Sequence, residues 1–270
     1  MYLASALLFL TSAFSSFVAA LPSQLPLDAK LGHRVEDSKV NVSLYVMSRC
    51  RDARLCEDLF EDVFKTDDIL QKVNLNMNYI GSINKAEPLG VSCKHGPLEC
   101  LGNAHQLCAY HHLPLDQFWA FVQCQNFPSS YPKDIGDPSF DRQCIETIGE
   151  QWWESGVGEC IEGKLQHNDT ASSSFNGDGD REEESVGLGK EGRRLLRKNI
   201  RHTEGSGVTK SCTIEIESTL VSAGKRTCEV DAGVWRGCDD GHTAADLARV
   251  IEAEWQNLKS KENAEHAFRH

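Results

Sequence analysis

The sequence predicts an α/β fold in which a strand-helix-strand unit is separated by a helical, cysteine-rich insertion from two further strands and a final helix. Three observations support this prediction. Apolar and polar side chains alternate, as in half-buried strands, around residues 42–46, 73–79 and 212–216. The stretch between the second and third of these segments has helical patterns punctuated by proline and holds six of the eleven cysteines. The last segment repeats apolar residues at helical spacing.

The chain begins with an apolar segment that is typical of a secretory signal. Residues 1–20 contain no charged side chain and end in small residues, so we expect cleavage near Ala20. A retained N-terminal anchor is the alternative, although the segment is short for a span of about 20 apolar residues. The sequence therefore predicts a protein without a membrane span after signal removal, secreted or delivered to the lysosomal or vacuolar lumen.

Cysteine content and charge agree with this route. All eleven cysteines follow the apolar segment, and secretory compartments allow disulfides to persist. We expect most to be paired, while the odd number leaves at least one without a partner in the chain. Sequons at Asn41 and Asn168 predict a glycoprotein. The net charge of −12 argues against nucleic acid and anionic lipid as partners.

Residues 40–84 are predicted to form the first half of the domain. Val42, Leu44 and Val46 face one side of a strand over 40–47, a helix follows over 52–65, and a second strand lies around 73–79. Such a unit normally forms a parallel strand pair with a right-handed crossover.

Residues 85–164 are predicted to form a helical, cysteine-rich insertion. Helices are expected over 98–110, 116–125 and 139–152, and each carries at least one cysteine. Cys124, Cys144 and Cys160 are expected to staple this region together.

Residues 165–208 are predicted to be a disordered polar loop, because they contain few large apolar side chains. An acidic part over 178–184 precedes a basic part with Arg193 and Arg194. A processing protease could cut at this dibasic site, and an uncut solvated loop is the alternative.

Residues 209–258 are predicted to form the second half, with strands around 211–216 and 227–230 and a helix capped by Thr243 that runs to Leu258. Cys228 and Cys238 flank a turn and are expected to close a hairpin-like loop. Residues 259–270 are predicted to be a polar tail. A strand-helix-strand half followed by two strands and a helix is the order of a thioredoxin-like fold.

The sixteen residues from Cys93 to Cys108 resemble the signature of the gamma-interferon-inducible lysosomal thiol reductase family. Lys94, where that family usually has Gln, is the one substitution, and the matching positions are Cys93, His95, Gly96, Glu99, Cys100, Asn103 and Cys108. The resemblance implies a thioredoxin-like fold and the reduction of protein disulfides with electrons from a small thiol. It implies no metal and no organic cofactor.

Cys50 is the predicted nucleophile. In thioredoxin-like reductases the reactive cysteine follows the first strand and starts the helix, where the helix dipole and free N–H groups stabilise a thiolate. Cys50 stands in that place, and Arg49, Arg51 and Arg54 flank it. Its thiolate could attack a substrate disulfide, and a second cysteine would resolve the mixed disulfide.

The second cysteine of the site departs from the family pattern, because Ala53 occupies its position. Cys56 is the next candidate and the predicted partner. Six residues of helix rise about 9 Å and turn through about 600°, whereas a disulfide needs Cα atoms within about 7 Å. Cys50 and Cys56 can therefore pair only if residues 51–55 form a loop or the helix begins late. Otherwise Cys56 belongs to a structural bridge, and Cys50 is alone or bridged elsewhere.

A second departure is the missing proline at the start of the third strand, where thioredoxin-like sites usually carry a cis-proline. No proline follows Pro138, and the corresponding stretch is 210–213. Cys212 is therefore expected near Cys50, as a resolving thiol or as part of a structural disulfide.

Two alternatives remain open. The cysteines of the signature, together with His95, His105, His111 and His112, offer zinc-ligand types, but an oxidising compartment favours disulfides. The leading function is a thiol-disulfide oxidoreductase that acts on disulfide-containing proteins through Cys50 and Cys56. The alternative function is a redox-inactive, disulfide-stabilised thioredoxin-like secreted binding protein, which Ala53 and the missing proline favour.

Overall fold

The computed structural model describes residues 38–163 and 187–268, which contain seven strands and eight helices. The predicted signal over 1–20, the sequon at Asn168 and the acidic residues 178–184 lie outside these two ranges. Within them, no helix combines the length and the apolar character that crossing a bilayer requires.

A five-stranded sheet forms the centre of the domain. Its strands are β1 (Val40–Val46), β2 (Val73–Tyr79), β5 (Thr213–Glu217), β6 (Lys225–Asp231) and β7 (Val234–Arg236). They are arranged in the order β2-β1-β5-β6-β7, with β1 and β2 parallel and the other neighbours antiparallel. The short strands β3 (Ser82–Ile83) and β4 (Val91–Ser92) pair separately.

The predicted strand-helix-strand unit is confirmed. Helix α1 (Arg51–Phe64) and the single turn α2 (Ile69–Lys72) connect β1 to β2. The buried face of β1 meets a stripe of α1 residues spaced three and four apart, and each large side chain buried there stabilises the fold by about 1.5–3 kcal/mol. The stripe consists of Ala53, Cys56, Phe60 and Val63. Helix α8 (Ala244–Phe268) packs beside α1.

The region of the predicted insertion contains four helices. They are α3 (Pro97–His112), α4 (Leu115–Asn126), α5 (Pro138–Thr147) and α6 (Val157–Glu162). The disulfide Cys108–Cys160 joins α3 to α6, and Cys124–Cys144 joins α4 to α5, so the predicted stapling is confirmed. The third predicted helix ends five residues early, because Gly149 adopts a φ of 88°, which typically terminates a helix.

The prediction of a disordered loop over 165–208 is wrong for its second part, because residues 190–206 form helix α7 (Lys190–Ser206). A surface helix needs only a narrow buried stripe, and here that stripe repeats every three or four residues. The stripe is formed by Gly192, Leu196, Ile200 and Thr203. Arg193 and Arg194, the candidate cleavage site, therefore lie inside a helix.

Helix α7 also covers the free edge of the sheet at β2. The side chain of Asn199 accepts a hydrogen bond from the Tyr79 amide at 2.7 Å and donates one to the Met77 carbonyl at 2.8 Å. Tyr110 from α3 donates its hydroxyl to the Leu75 carbonyl. Backbone groups that an edge strand would leave open are thus paired with side chains.

The C-terminal half differs from the prediction at two places. The polar tail predicted over 259–270 is helical as far as Phe268, because its Lys, Glu and Ala residues are good helix formers although they bury no apolar stripe. Strand β7 was not predicted; it follows the turn at Ala232 and Gly233. The expected bridge Cys228–Cys238 is present, and Thr243 accepts from the Asp246 amide at 3.2 Å as the helix cap.

Candidate redox site

Cys50 lies at the point where β1 leads into α1. It is the N-cap residue of the helix, with extended backbone angles, and its carbonyl accepts from the Arg54 amide at 3.2 Å. Its own amide donates to the Met47 carbonyl at 2.9 Å, which closes a tight turn. All eleven cysteines are within the described residues, and ten of them form five disulfides. Cys50 alone keeps a free thiol, which is partly exposed.

The segment that precedes β5 lies beside this thiol, as the sequence predicts. The carbonyl oxygen of Ser211 is 3.7 Å from the Cys50 Sγ. The Ser211 hydroxyl accepts from the Met47 amide at 2.9 Å, which ties this segment to the Cys50 turn. The peptide bond between Ser211 and Cys212 is cis, at the place where a cis-proline was expected and is missing.

Cys56, the second predicted site residue, is bonded to Cys212 rather than to Cys50. The two Cα atoms of this bridge are 6.3 Å apart, and both side chains are fully buried. Helix α1 is continuous from Arg51, so the expected divergence of Cys50 and Cys56 along a helix applies and the pairing of these two residues is not found. Ala53, in the position of the family's second cysteine, is fully buried.

The signature segment, Cys93 to Cys108, supports the turn at Cys50 through hydrogen bonds to Ser48. The Asn103 side chain accepts from the Ser48 amide at 2.9 Å, and the Ser48 hydroxyl donates to the Glu99 carbonyl at 3.3 Å. Gly102 permits this approach, because a Cβ there would come within 2.6 Å of the Ser48 hydroxyl oxygen. The signature therefore positions the loop that carries Cys50.

The same segment is braced internally. The bridge Cys93–Cys100 joins the turn to the first part of α3, and the buried Glu99 carboxylate accepts from the His95 amide at 3.1 Å and contacts the His95 ring. Glu99 and Asn103 thus brace this region. Because Cys93, Cys100 and Cys108 all form disulfides, they are not zinc ligands in this structure.

Tyr131 forms the second wall of the site. Its hydroxyl donates to the Cys50 carbonyl at 2.7 Å, and the Arg54 guanidinium lies 5.0 Å from the centre of its ring. Burial, together with the nearby Glu57 and Cys50, raises the pKa of Tyr131. The phenol therefore stays protonated and remains a hydrogen-bond donor across the physiological range.

The charged residues around Cys50 mostly have partners. Arg49 donates to the Ile135 carbonyl at 2.9 Å, and Arg54 is 3.8 Å from the Asp58 carboxylate. Asp52 accepts from the amides of Ala232 and Gly233 at 3.0 and 2.8 Å, which fixes the β6–β7 turn beside the site. Of the three arginines that the sequence places around the thiol, Arg51 is the exposed one.

An apolar patch adjoins the thiol. Tyr45, Met47 and Ile80 form a small buried cluster, and Cys50 and Val208 pack on it. A separate cavity of about 750 Å³ lies along the sheet and is lined by Tyr45 but not by Cys50. Because its three side chains are buried, this cluster supports Cys50 from inside the domain.

Glu57 is a buried acid two turns along α1 from Cys50. Its Oε2 accepts from the Asn126 amide nitrogen at 2.6 Å. Burial is the main cause that raises the pKa of this carboxyl from 4.5 to about 7. Its Oε1 and the Asn126 Oδ1 have no hydrogen-bond partner.

Sequence reasoning placed Cys50 correctly at the start of the helix after the first strand but missed several residues that hold it there. Asn103 was named only as a signature residue, although a signature position outside the reacting pair is a sign of such a supporting role. Tyr131 and Asp52 carry no signal in the sequence, because each acts through a contact between segments far apart in the chain.

These features define a thioredoxin-like protein, which confirms the predicted fold class. The parallel pair of β1 and β2, the antiparallel β5 and β6, the helix α1 with a cysteine at its start and the final helix α8 give the order of that fold. Five disulfides, three of them within or next to the helical region between β4 and α7, complete the description.

Residues 41–148 are similar to the family model described as "Gamma interferon inducible lysosomal thiol reductase (GILT)". The matched range includes β1, Cys50 and the whole signature from Cys93 to Cys108. The match covers less than half of the 270 residues and agrees with the resemblance of the signature to this family. A comparison with curated proteins finds no match.

Solved structures with similar folds include bacterial thiol-disulfide proteins. Reduced DsbA1 from Neisseria meningitidis is 15% identical, with 81% of this chain and 87% of that chain covered and a TM-score of 0.42. A putative protein disulfide isomerase from Nitrosomonas europaea is 7% identical, with 82% and 99% covered and a TM-score of 0.47. The reduced disulfide bond oxidoreductase DsbG from Mycobacterium tuberculosis is 11% identical, with 66% and 68% covered and a TM-score of 0.40. At these scores the similarities carry no weight in assigning an activity.

Proposed function

We propose that this protein is a thiol-disulfide oxidoreductase that reduces protein disulfides through the thiolate of Cys50. The observation that carries the proposal is the position of this thiol. It is the one free cysteine among the eleven, it is partly exposed, and it caps the helix that follows β1 within the range that is similar to a thiol reductase family. A helix N-terminus favours a thiolate over a thiol.

The proposed reaction needs an external thiol. The Cys50 thiolate attacks one sulfur of a substrate disulfide, forms a mixed disulfide and releases the other substrate sulfur as a thiolate. A small thiol then attacks the Cys50 sulfur and releases the second substrate thiol, and a second small thiol frees Cys50 as the small-molecule disulfide forms. Two small thiols are oxidised for each substrate disulfide that is reduced.

Cys56 would act as the partner thiol only if its bond to Cys212 opens first. In the closed form neither Cys56 nor Cys212 offers a thiol, and both are buried. The catalytic role predicted for Cys56 therefore stays a prediction, conditional on reduction of that bridge.

We place this activity in the secretory route, in secreted form or in the lysosomal or vacuolar lumen. Five disulfides support a compartment in which such bonds persist. Asn41, the sequon within the described residues, is half-buried and donates its amide to Glu217 at 2.8 Å. That contact makes Asn168 the sequon to test first for glycosylation.

The test is to mix the folded chain with a disulfide-bonded peptide and to follow adducts by mass spectrometry of the intact protein. We expect a mixed disulfide of the wild type with half of the peptide, its release by added glutathione, and no adduct with Cys50→Ser. The matched control is the double variant Cys56→Ala with Cys212→Ala, which keeps Cys50 and should form the same adduct.

The same experiment separates the alternatives. If the adduct of the wild type decays without added thiol after reduction of Cys56–Cys212, and that of the double variant does not, then Cys56 or Cys212 resolves it. If Cys50 forms no adduct in the folded chain but does so after unfolding, the protein is the redox-inactive binding protein that the buried Ala53 favours.

A further inference from the structure

Two histidines considered as zinc ligands at the level of sequence meet a glutamate at the C-terminal end of α3. They are His111 and His112, the last two residues of α3, and the glutamate is Glu191 in the first turn of α7. Among the described residues, this is the group of His, Cys, Asp and Glu whose ligand atoms lie close enough together for one ion, within 4.8 Å of one another.

We propose that His111, His112 and Glu191, here called the HHE site, bind one Zn²⁺. The His112 Nε2 is 3.1 Å from the Glu191 Oε2, and the His111 Nε2 is 3.6 Å from the Glu191 Oε1. Around a tetrahedral zinc with ligands at about 2.0–2.2 Å, neighbouring ligand atoms lie about 3.3 Å apart. The two observed distances end on different carboxylate oxygens and lie close to that value, and with one ligand atom taken from each residue all separations are within 4.8 Å, so small side-chain rotations would bring the three atoms to this spacing.

The ligand types suit zinc. Two neutral imidazole nitrogens and one carboxylate oxygen are ligands that this metal takes, with a water in the fourth position. The side chains of His111, His112 and Glu191 are 51%, 26% and 34% exposed, so the site is open to solvent and an ion can reach it. The carbonyl end of α3 is also the end of a helix that favours a cation.

The frame around the HHE site holds two of the ligands in place. A Cβ at Gly156 would come within 2.7 Å of the His112 Nδ1, so the ring is packed closely against that backbone. A Cβ at Gly192, next to Glu191, would be 3.2 Å from the Cys108 Sγ, which places the start of α7 against the bridge that joins α3 to α6. The ligands thus come from two helices that are already fixed to each other.

Arg194 is the competing cation. Its guanidinium is 3.5 Å from the Glu191 Oε1, and its side chain is 58% exposed. An exposed pair of this kind contributes little free energy, so a divalent ion can displace the guanidinium.

The HHE site is distinct from the redox site. His111 lies eight positions after Asn103 on α3, which corresponds to about 12 Å of helix, and Asn103 contacts the turn at Cys50. Zinc there would join α3 to α7 without touching Cys50, so the inference holds whether or not the proposed reductase activity does.

The test is calorimetric titration of the metal-free folded chain with zinc chloride in the Cys50→Ser background, which removes the free thiol as a ligand. We expect one Zn²⁺ per chain, and at least a tenfold loss of affinity in His112→Ala and in Glu191→Gln. The matched control is His202→Ala, an exposed histidine on α7 outside the site, which should bind as the parent does.

Folding is checked by circular dichroism without metal, since the three ligand side chains are partly exposed and their replacement should leave the fold intact. As a second readout, zinc should raise the melting temperature of the parent and of His202→Ala but not of the other two variants. Equal affinity in all four proteins, or no binding by the parent, would overturn the proposal.

Discussion

At the scale of single residues, Ala53 determines how the candidate redox site can work. One turn after Cys50, it occupies the place of the family's second cysteine and is fully buried on the inner face of α1. The nearest cysteine along the helix is committed to Cys212. Cys50 consequently has no thiol within the chain that can reach its sulfur while that bridge is closed.

Restoring the missing cysteine should convert the site to a two-thiol form. In Ala53→Cys we expect a reversible disulfide with Cys50, because residues three apart at the start of a helix lie on the same face. The measurement is the number of alkylatable thiols, zero in the oxidised variant and two after mild reduction, with Ala53→Ser as the matched control. Two free thiols under oxidising conditions would contradict the assignment of this position.

Glu57 and Asn126 form a buried pair whose free atoms suggest a shared proton. One hydrogen bond joins Asn126 to the Glu57 Oε2, while the Glu57 Oε1 and the Asn126 Oδ1 are both acceptors without a donor. A proton on the carboxyl would supply a donor and relieve its burial as an anion. The raised pKa of Glu57, about 7, also favours the protonated carboxyl.

This pair predicts a pH dependence of stability. The pKa of Glu57 is raised from 4.5 to about 7 in the folded state. The stability that the protonated carboxyl contributes is therefore fully present below about pH 4.5 and is lost as the pH rises through 7. The full loss is about 3 kcal/mol. We expect Glu57→Gln to gain stability relative to the wild type between pH 5 and 8, measured by urea unfolding.

Glu61→Gln is the control for this effect. Glu61 lies on the same helix but forms a surface pair with Lys65 at 3.2 Å, so its replacement should leave the difference between pH 5 and 8 unchanged. A Glu57→Gln protein with the pH profile of the wild type would show that the carboxyl is charged in the fold.

At the scale of elements, helix α7 protects the edge of the sheet. The Asn199 side chain accepts a hydrogen bond from the Tyr79 amide and donates one to the Met77 carbonyl, two backbone groups on the unpaired edge of β2. A polar side chain in a highly charged segment thus has a structural role, and that role depends on a strand more than a hundred residues earlier.

Removing this side chain should loosen the edge. In Asn199→Ala we expect a loss of about 1–3 kcal/mol in the free energy of unfolding, because two backbone groups lose their partners. Hydrogen exchange should show faster exchange at the Tyr79 amide. The neighbouring Lys198→Ala, an exposed position, should be nearly neutral in both measurements.

Elements with a local signal were predictable, and those without one were not. The alternation in β1 and β2 and the apolar repeat in the first part of α8 each mark an element within a few residues. Helix α7 was missed because its basic residues outnumber the four residues of its buried stripe, so that the composition of the segment resembles that of a polar loop. At the candidate site, position along the chain predicted that Cys50 lies at the start of α1, whereas the bond from Cys56 to Cys212 depends on the folded arrangement of β5 and α1.

At the scale of the whole molecule, the bridge Cys56–Cys212 connects the two halves of the thioredoxin-like domain. Its cysteines are 156 residues apart in sequence, and the four helices α3–α6, together with α7, lie between them. By contrast, the bridge Cys228–Cys238 spans only 10 residues.

The two bridges should therefore differ in their effect on stability. In the chain-entropy view, closing the longer loop stabilises the fold by about 5 kcal/mol and closing the shorter one by about 3 kcal/mol. We expect Cys56→Ala with Cys212→Ala to lower the free energy of unfolding more than Cys228→Ala with Cys238→Ala does, as measured by urea unfolding. The reverse order would show that the long bridge is strained or that the unfolded chain stays compact.

The single accessible sulfur has a kinetic consequence for the proposed reaction. An active site with two thiols releases its substrate quickly, because the second thiol attacks the mixed disulfide within the same molecule. Cys50, with Ala53 one turn away, would instead hold each captured protein until a small thiol arrives from solution. The dwell time of the covalent complex would then follow the ambient thiol concentration, and in thiol-poor surroundings the same sulfur would serve as a trap rather than a catalyst.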